Sequence, residues 1–327
     1  MSHTSRIIRR LWQMQNESWT SKKRIGLWPK EAVRISDKRN SADEIPTLGN
    51  WLLIYDEFLS WYISLYTVVH SKIHNIGSED IAESKVFTLL LGAVISHSFA
   101  IRKLVLSGFD LAAKQVLRSL CEYNDLMLLI AVDPGIAKEF LATDIQERSD
   151  AFWRKYFRKG KARRQFYQYA QRNDAAHSEM IDWRKQEDSI LSMSAHPSML
   201  ASFVSIAPPG CDESSPWMGF FGAKAEVSNR TLCYAIMALS DFVLFASHIP
   251  FGPKEGYEGG AARGIPPERR LIEFDDGEEL HRHVNKGRDV LLSLVRYVVE
   301  AQETTELEGQ RLIEDWFDSD AVEVAKP

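Results

Sequence analysis

The stretch that most constrains this chain is Asp110–Val132, DLAAKQVLRSLCEYNDLMLLIAV. Its apolar positions run around almost the whole circumference of a helix, so other elements must enclose it. Arg118, Glu122 and Asp125 nevertheless fall at i, i+4 and i+7, within about 60° of one another at 3.6 residues per turn. An unpaired buried charge costs several kcal/mol, so this stripe requires partners from elsewhere in the chain.

The flanking sequence supplies helices to surround it. Leu48–Ile73 is dense in aromatic and aliphatic residues and reads as a long helix with a wide buried face. A second helix runs from about 80 to 106, where only His97 and Arg102 interrupt a long apolar run. Ser107–Gly108 is a tight connection, so the segments either side of it form an antiparallel helix hairpin over about 80–132. Counting from that turn sets His97 roughly opposite Arg118 and Glu122. Beyond Asp133-Pro-Gly135 the pattern predicts a long amphipathic helix from Ile136 to about Phe157, another over 178–195, and a buried one from Val227 to Ser247. A last core helix is expected at 280–301, with a short acidic helix after it. Residues 200–225 break the helical period and read as a small irregular or hairpin insertion. The Gly-, Pro- and charge-rich segment 250–279 reads as a surface loop or lid. The expected fold is an all-α bundle, organised as a basic arm (1–46) and a single helical domain (47–327).

Bulk properties narrow the function. A net charge of −5 excludes a globally basic nucleic-acid binder but leaves local patches open. Cys121, Cys211 and Cys233 form no C-x-x-C pair and two of them lie in apolar runs, which favours reduced core residues and a cytoplasmic location. The N-terminus has no apolar signal core. The most membrane-like segment, Leu232–Ile249, carries Asp241 and is short of a span of roughly 20 residues, so no membrane is expected. Phosphate-loop, dinucleotide, zinc-protease and nucleophile-elbow motifs are absent. Neither a metal nor a cofactor is expected.

Two constellations remain. The span from Arg154 to Arg172 holds eight basic residues and no acid, interleaved with aromatics. Arg154, Lys155, Arg158, Lys159, Lys161, Arg163 and Arg164 are the candidate phosphate contacts, with rings available to stack on bases. The alternative is a solvated helix face whose aromatics enter the core. Next to this span, Arg172-Asn-Asp-Ala-Ala-His177 sets a guanidinium near an imidazole. That pair suits metal-independent RNA cleavage, with the histidine as acid or base and the arginine on the phosphate. A more distributed arrangement joins Arg118 and Glu122 to His97 and to His196, which Pro197 sets at a helix end. Its competing reading is an ion network that fixes helix register.

Two resemblances attach to these residues. Gly108-Phe-Asp-Leu-Ala-Ala, followed by Leu117-Arg-Ser-Leu-Cys-Glu122 and later Ser194-Ala-His-Pro-Ser198, resembles a family of uncharacterised bacterial helical proteins over about residues 85–200. The Arg172–His177 spacing is similar to that of HEPN domains, helical bundles of toxin–antitoxin and anti-phage systems, many of them dimeric RNases. That likeness implies Arg172 and His177 as a catalytic pair, RNA as partner and a homo-oligomer. The first likeness instead nominates His196, with Arg118 and Glu122. The competing expectation is a non-catalytic module that recruits a partner protein or nucleic acid.

Overall fold

The computed structural model describes residues 3–15, 46–73, 81–133, 135–172, 178–195, 201–202, 227–246, 284, 286–295 and 297. Among the described residues every regular element is a helix. In chain order these are α1 (His3–Met14), α2 (Pro46–Ile73), α3 (Ile81–Leu106), α4 (Asp110–Val132), α5 (Gly135–Leu141), α6 (Gln146–Tyr156), α7 (Lys161–Arg172), α8 (Ser178–Ala195) and α9 (Val227–Ala246). Residues 286–290 and 291–295 are helical as well. The all-α expectation therefore holds.

The stretch singled out first is the hub of this bundle, since α4 packs against α3, α5, α7, α8 and α9. It meets α3 across the expected turn. Gly108 takes the left-handed conformation (φ 75°), its N–H bonds Val105 O at 2.9 Å, and Phe109 N–H bonds Leu104 O at 2.8 Å. This paired closure satisfies carbonyls that the end of α3 would otherwise leave open, at a position where glycine carries no Cβ penalty.

Buried polar side chains set the register between helices. Tyr55 Oη donates to Ser98 O at 2.9 Å, and Tyr62 Oη donates to Leu239 O at 2.9 Å. Asn124 Nδ2 donates to Ala238 O at 2.8 Å, and Trp61 Nε1 to Val284 O at 2.8 Å. Each satisfies a donor that would otherwise be stranded in the core. Arg102, predicted only as an interruption of α3, is buried against Asp56 of α2, with Nε–Oδ1 at 2.8 Å and Nη2–Oδ2 at 3.1 Å. The pairs Asp110–Ser228 and Asn124–Ala238 run in step, so α4 and α9 are parallel. Gln115 lies by Ser194, and Asp125 shares Arg163 with Asp188, so α8 runs antiparallel to both.

Three expectations change. The single helix from Ile136 to Phe157 is two, α5 and α6, broken at 142–145. There Thr143 Oγ1 bonds back to Phe140 O at 2.7 Å, and Ile145 turns extended (φ −125°, ψ 158°). A threonine hydroxyl competing for a helix carbonyl ends one helix, and the next starts from the extended Ile145, with Asp144 paired to Arg148 of its first turn at 2.8 Å. The start of the basic arm is a core element, because Ile8 and Trp12 of α1 are buried and α1 packs on α2. Among the described helices, the one long and apolar enough to cross a membrane is at Lys85–Leu106, not at 232–249. The 250–279 lid, the C-terminal acidic helix and all but residues 201–202 of the 200–225 insertion lie outside the described residues.

Candidate functional site

The basic span splits between surface and interior. Helix α6 ends in a tight elbow, where Phe157 N–H bonds Trp153 O at 2.8 Å and Gly160 N–H bonds Phe157 O at 2.9 Å. Lys159 and Gly160 are both left-handed there (φ 60° and 65°), which reverses the chain into α7. Arg154, Lys155, Arg158, Lys159, Lys161 and Arg164 are all exposed around this elbow. Trp153 exposes 47% of its surface beside them, an unusual fraction for so large an apolar ring. Three of the cations have local partners. Lys155 Nζ lies 2.6 Å from Glu139 Oε2, and this hydrogen bond holds the Glu139 carboxyl below its usual range. Arg154 Nε donates to Asp150 O at 3.1 Å, and Lys161 Nζ donates to Arg154 O at 3.3 Å. Three other aromatics of the span, Tyr156, Phe166 and Tyr167, are buried in the core.

Arg163 departs from this surface set. It occupies a core position of α7 together with Ala162, Phe166 and Tyr167, all buried. Its Nη2 is 2.9 Å from Asp125 Oδ2, and its Nη1 pairs with Asp188 of α8. As a nucleic-acid contact it is a correction, because its buried guanidinium is already engaged by two carboxylates, Asp125 inside the bundle and the half-exposed Asp188 at its edge. The buried partner that Asp125 required is therefore Arg163, which arrives from the basic span itself.

The α4 stripe is graded rather than uniformly buried. Arg118 and Glu122 are partly exposed and 4.0 Å apart, whereas Asp125 is buried. Burial raises the Glu122 and Asp125 carboxyls, against the pull of Arg118 on the first and Arg163 on the second. His97 does not need the stripe: its ring packs on Tyr123 at 5.1 Å, and its Nδ1 bonds Ala93 O at 2.8 Å.

Deeper in, Arg184 and Glu187 of α8 pair with one another, and Arg184 Nε is 2.8 Å from Asp241 Oδ2 of α9. Tyr167 Oη reaches the same carboxylate at 3.4 Å. Arg184 and Glu187 are each 1% exposed. Burial pushes the Glu187 carboxyl up to about 8 and that of Asp241 up to about 6, with Arg184 opposing in both. Cys121 sits in this field, and burial pushes its thiol up to about 12, so it is protonated and inert. Acids, arginines, a tyrosine and a thiol thus run from the half-exposed Arg118–Glu122 pair to the centre of the bundle. The sequence flagged Asp241 as a charge in an apolar run. Arg184 and Glu187 gave no such signal, because α8 is polar overall and they share a helical stripe with Leu191 and Ser194.

His177 and His196 lie outside the described residues, as does the Arg172 side chain. The backbone of Arg172 closes α7, the helix that begins at the basic elbow. Gln115 Nε2 donates to Ser194 O at 3.3 Å, which brings the C-terminal end of α8 alongside α4 one turn before Arg118. Among the described residues no group of three or more metal-binding side chains is formed. Comparison of the chain with family models, with curated proteins and with solved structures gives no match.

Proposed function

We propose that the protein is a helical RNA-binding module that takes single-stranded RNA at the α6–α7 elbow. The observation that carries this reading is the exposed Trp153 ring beside Arg154, Arg158, Lys159, Lys161 and Arg164. Cations of this kind track a phosphate backbone, and an exposed indole offers a stacking face for any base. An acidic chain that gathers its cations on one elbow can bind RNA without general polyanion affinity. In the stronger form of the proposal the module cleaves its RNA without a metal. Arg172 would hold the phosphate and His177 move the proton, or His196 would act with Arg118 and Glu122. A cytoplasmic defence or toxin role and assembly into a homo-oligomer belong to this form, which rests on the resemblances.

Recruitment without catalysis is the second reading, and one observation favours it. Asp125 of the charged stripe is used up in a buried ion network with Arg163, as a register-fixing role requires.

Fluorescence anisotropy with a labelled single-stranded RNA, titrated across salt concentration, tests the binding. About four phosphate contacts give a slope near −3 in log K against log salt. Charge reversal of Arg158, Lys159 and Lys161 together should flatten that slope and abolish binding, and Trp153→Ala should weaken binding without changing the slope. Salt-independent binding, or binding that survives the reversal, refutes the elbow. Incubation with RNA in EDTA, using wild type and the His177→Ala and His196→Ala variants, then separates cleavage from recruitment.

A further inference from the structure

The thirty residues that follow Tyr297 carry nine acids against Arg311 and Lys326, a net charge of −7. The whole chain carries −5, so its other 297 residues are on balance cationic, at +2. The acidity of the chain is therefore concentrated in one segment. Within it Leu312, Ile313, Trp316 and Phe317 fall at i, i+4 spacing. Glu303, Glu306 and Glu308 precede them, Asp318, Asp320 and Glu323 follow, and Glu314 and Asp315 lie among them. This segment lies outside the described residues, and its composition is complementary to that of the elbow.

Of the elbow's exposed cations, Lys155 has a carboxylate partner, Glu139. Arg154 and Lys161 bond to backbone carbonyls, which leave their charge uncompensated. Arg158, Lys159 and Arg164 make no side-chain hydrogen bond or ion pair among the described residues. Five cations without an acid thus surround the half-exposed Trp153 ring. Carboxylates accept from guanidinium and ammonium groups as phosphates do, and Trp316 or Phe317 can stack on an indole as a base does. Arg6, Arg9 and Arg10 of α1 make a second exposed basic run, but Trp12 beside them is buried, so that face offers charge without a ring. Reach is sufficient. The fifteen residues from Tyr297 to Leu312 span about 50 Å when extended, and a domain of this size has a radius of gyration of about 20 Å.

We propose that the acidic segment 303–323 docks on the α6–α7 elbow of its own chain and holds it closed to RNA. The docking stands on charge, ring chemistry and reach; the closure rests on the RNA-binding role proposed for the elbow. A tethered segment meets its site at an effective concentration of about 1 mM. An intrinsic dissociation constant near ~0.1 mM then leaves the elbow open about one-tenth of the time and weakens RNA binding about tenfold.

Zero-length carbodiimide coupling of the full chain, followed by peptide mass spectrometry of the monomer, tests the docking without RNA. The Lys155–Glu139 pair, 2.6 Å apart, is the internal standard for coupling. Lys159 or Lys161 should link to Glu314, Asp315, Asp318 or Asp320 at low salt, and single-stranded RNA in excess should suppress those links. Fluorescence anisotropy with labelled RNA then compares wild type with a chain that combines Glu314→Gln, Asp315→Asn, Asp318→Asn and Asp320→Asn. The neutralised chain should bind about tenfold more tightly. Absence of links to the elbow, or links only between copies, overturns the docking whatever RNA does. Links accompanied by equal RNA affinity in the two chains overturn the closure. Links in chains that bind no RNA, neutralised or not, keep the docking and overturn the RNA-binding role instead.

Discussion

Replacing Glu187 by glutamine tests the charged interior most directly. Glu187 is 1% exposed, faces Arg184 and feels the charge of Asp241, and burial pushes its carboxyl from an ordinary 4.5 up to about 8. A folded-state value raised above the unfolded one means that the native chain keeps a proton the unfolded chain releases. Below about 4.5 both states are protonated and the group is neutral in its effect. Above that, stability falls by about 1.4 kcal/mol per pH unit until the folded carboxyl itself ionises near 8. By about pH 7 this group alone has withdrawn about 3 kcal/mol. Glutamine has the shape of the protonated carboxyl, can still accept from Arg184, and does not titrate. Glu187→Gln should therefore match wild type at the acidic end and exceed it by about 3 kcal/mol near neutrality. Urea unfolding followed by tryptophan fluorescence at several pH values measures the difference, and Asp241 titrates in both proteins and largely cancels. A variant less stable than wild type by an amount independent of pH would refute the reasoning. Attraction between an ionised Glu187 and Arg184 would then outweigh burial.

Other perturbations probe separate parts of the bundle. Asp56→Ala removes the carboxylate that takes two hydrogen bonds from the buried Arg102 guanidinium and should destabilise by up to about 3–5 kcal/mol, seen as a lower urea midpoint. Gly287→Ala sets a methyl 2.9 Å from Trp61 Cδ1, and an overpacked contact of this kind should destabilise by about 1–3 kcal/mol, with a lowered Tm as its measure. In a Cys211→Ser background, the buried thiols of Cys121 and Cys233 should resist a disulfide reagent until the protein is unfolded. Fast labelling of the native protein would show that the interior opens.

Much of the fold was legible because helical periodicity is local. The span Asp110–Val132 reads as a helix from end to end, and the Ser107–Gly108 turn is written in one glycine at a left-handed position. Composition likewise exposes the elbow's cations, since no acid interrupts them. The break at 142–145 was hidden, because a Thr-Asp pair within an amphipathic run is compatible with continuation until a hydroxyl takes a carbonyl. Arg163 was assigned to the surface on charge alone, although its spacing to Phe166 and Tyr167 marks a core position. What the sequence determined by itself is that α4 is enclosed and that Asp125 needs a cation. Only the tertiary structure decided that the cation is Arg163, that Arg184 and Glu187 lie at the centre of the bundle, and that Asp110 meets the start of α9. Pairings between helices some 40 to 120 residues apart depend on which faces are pressed together, and one-dimensional spacing carries no record of that choice.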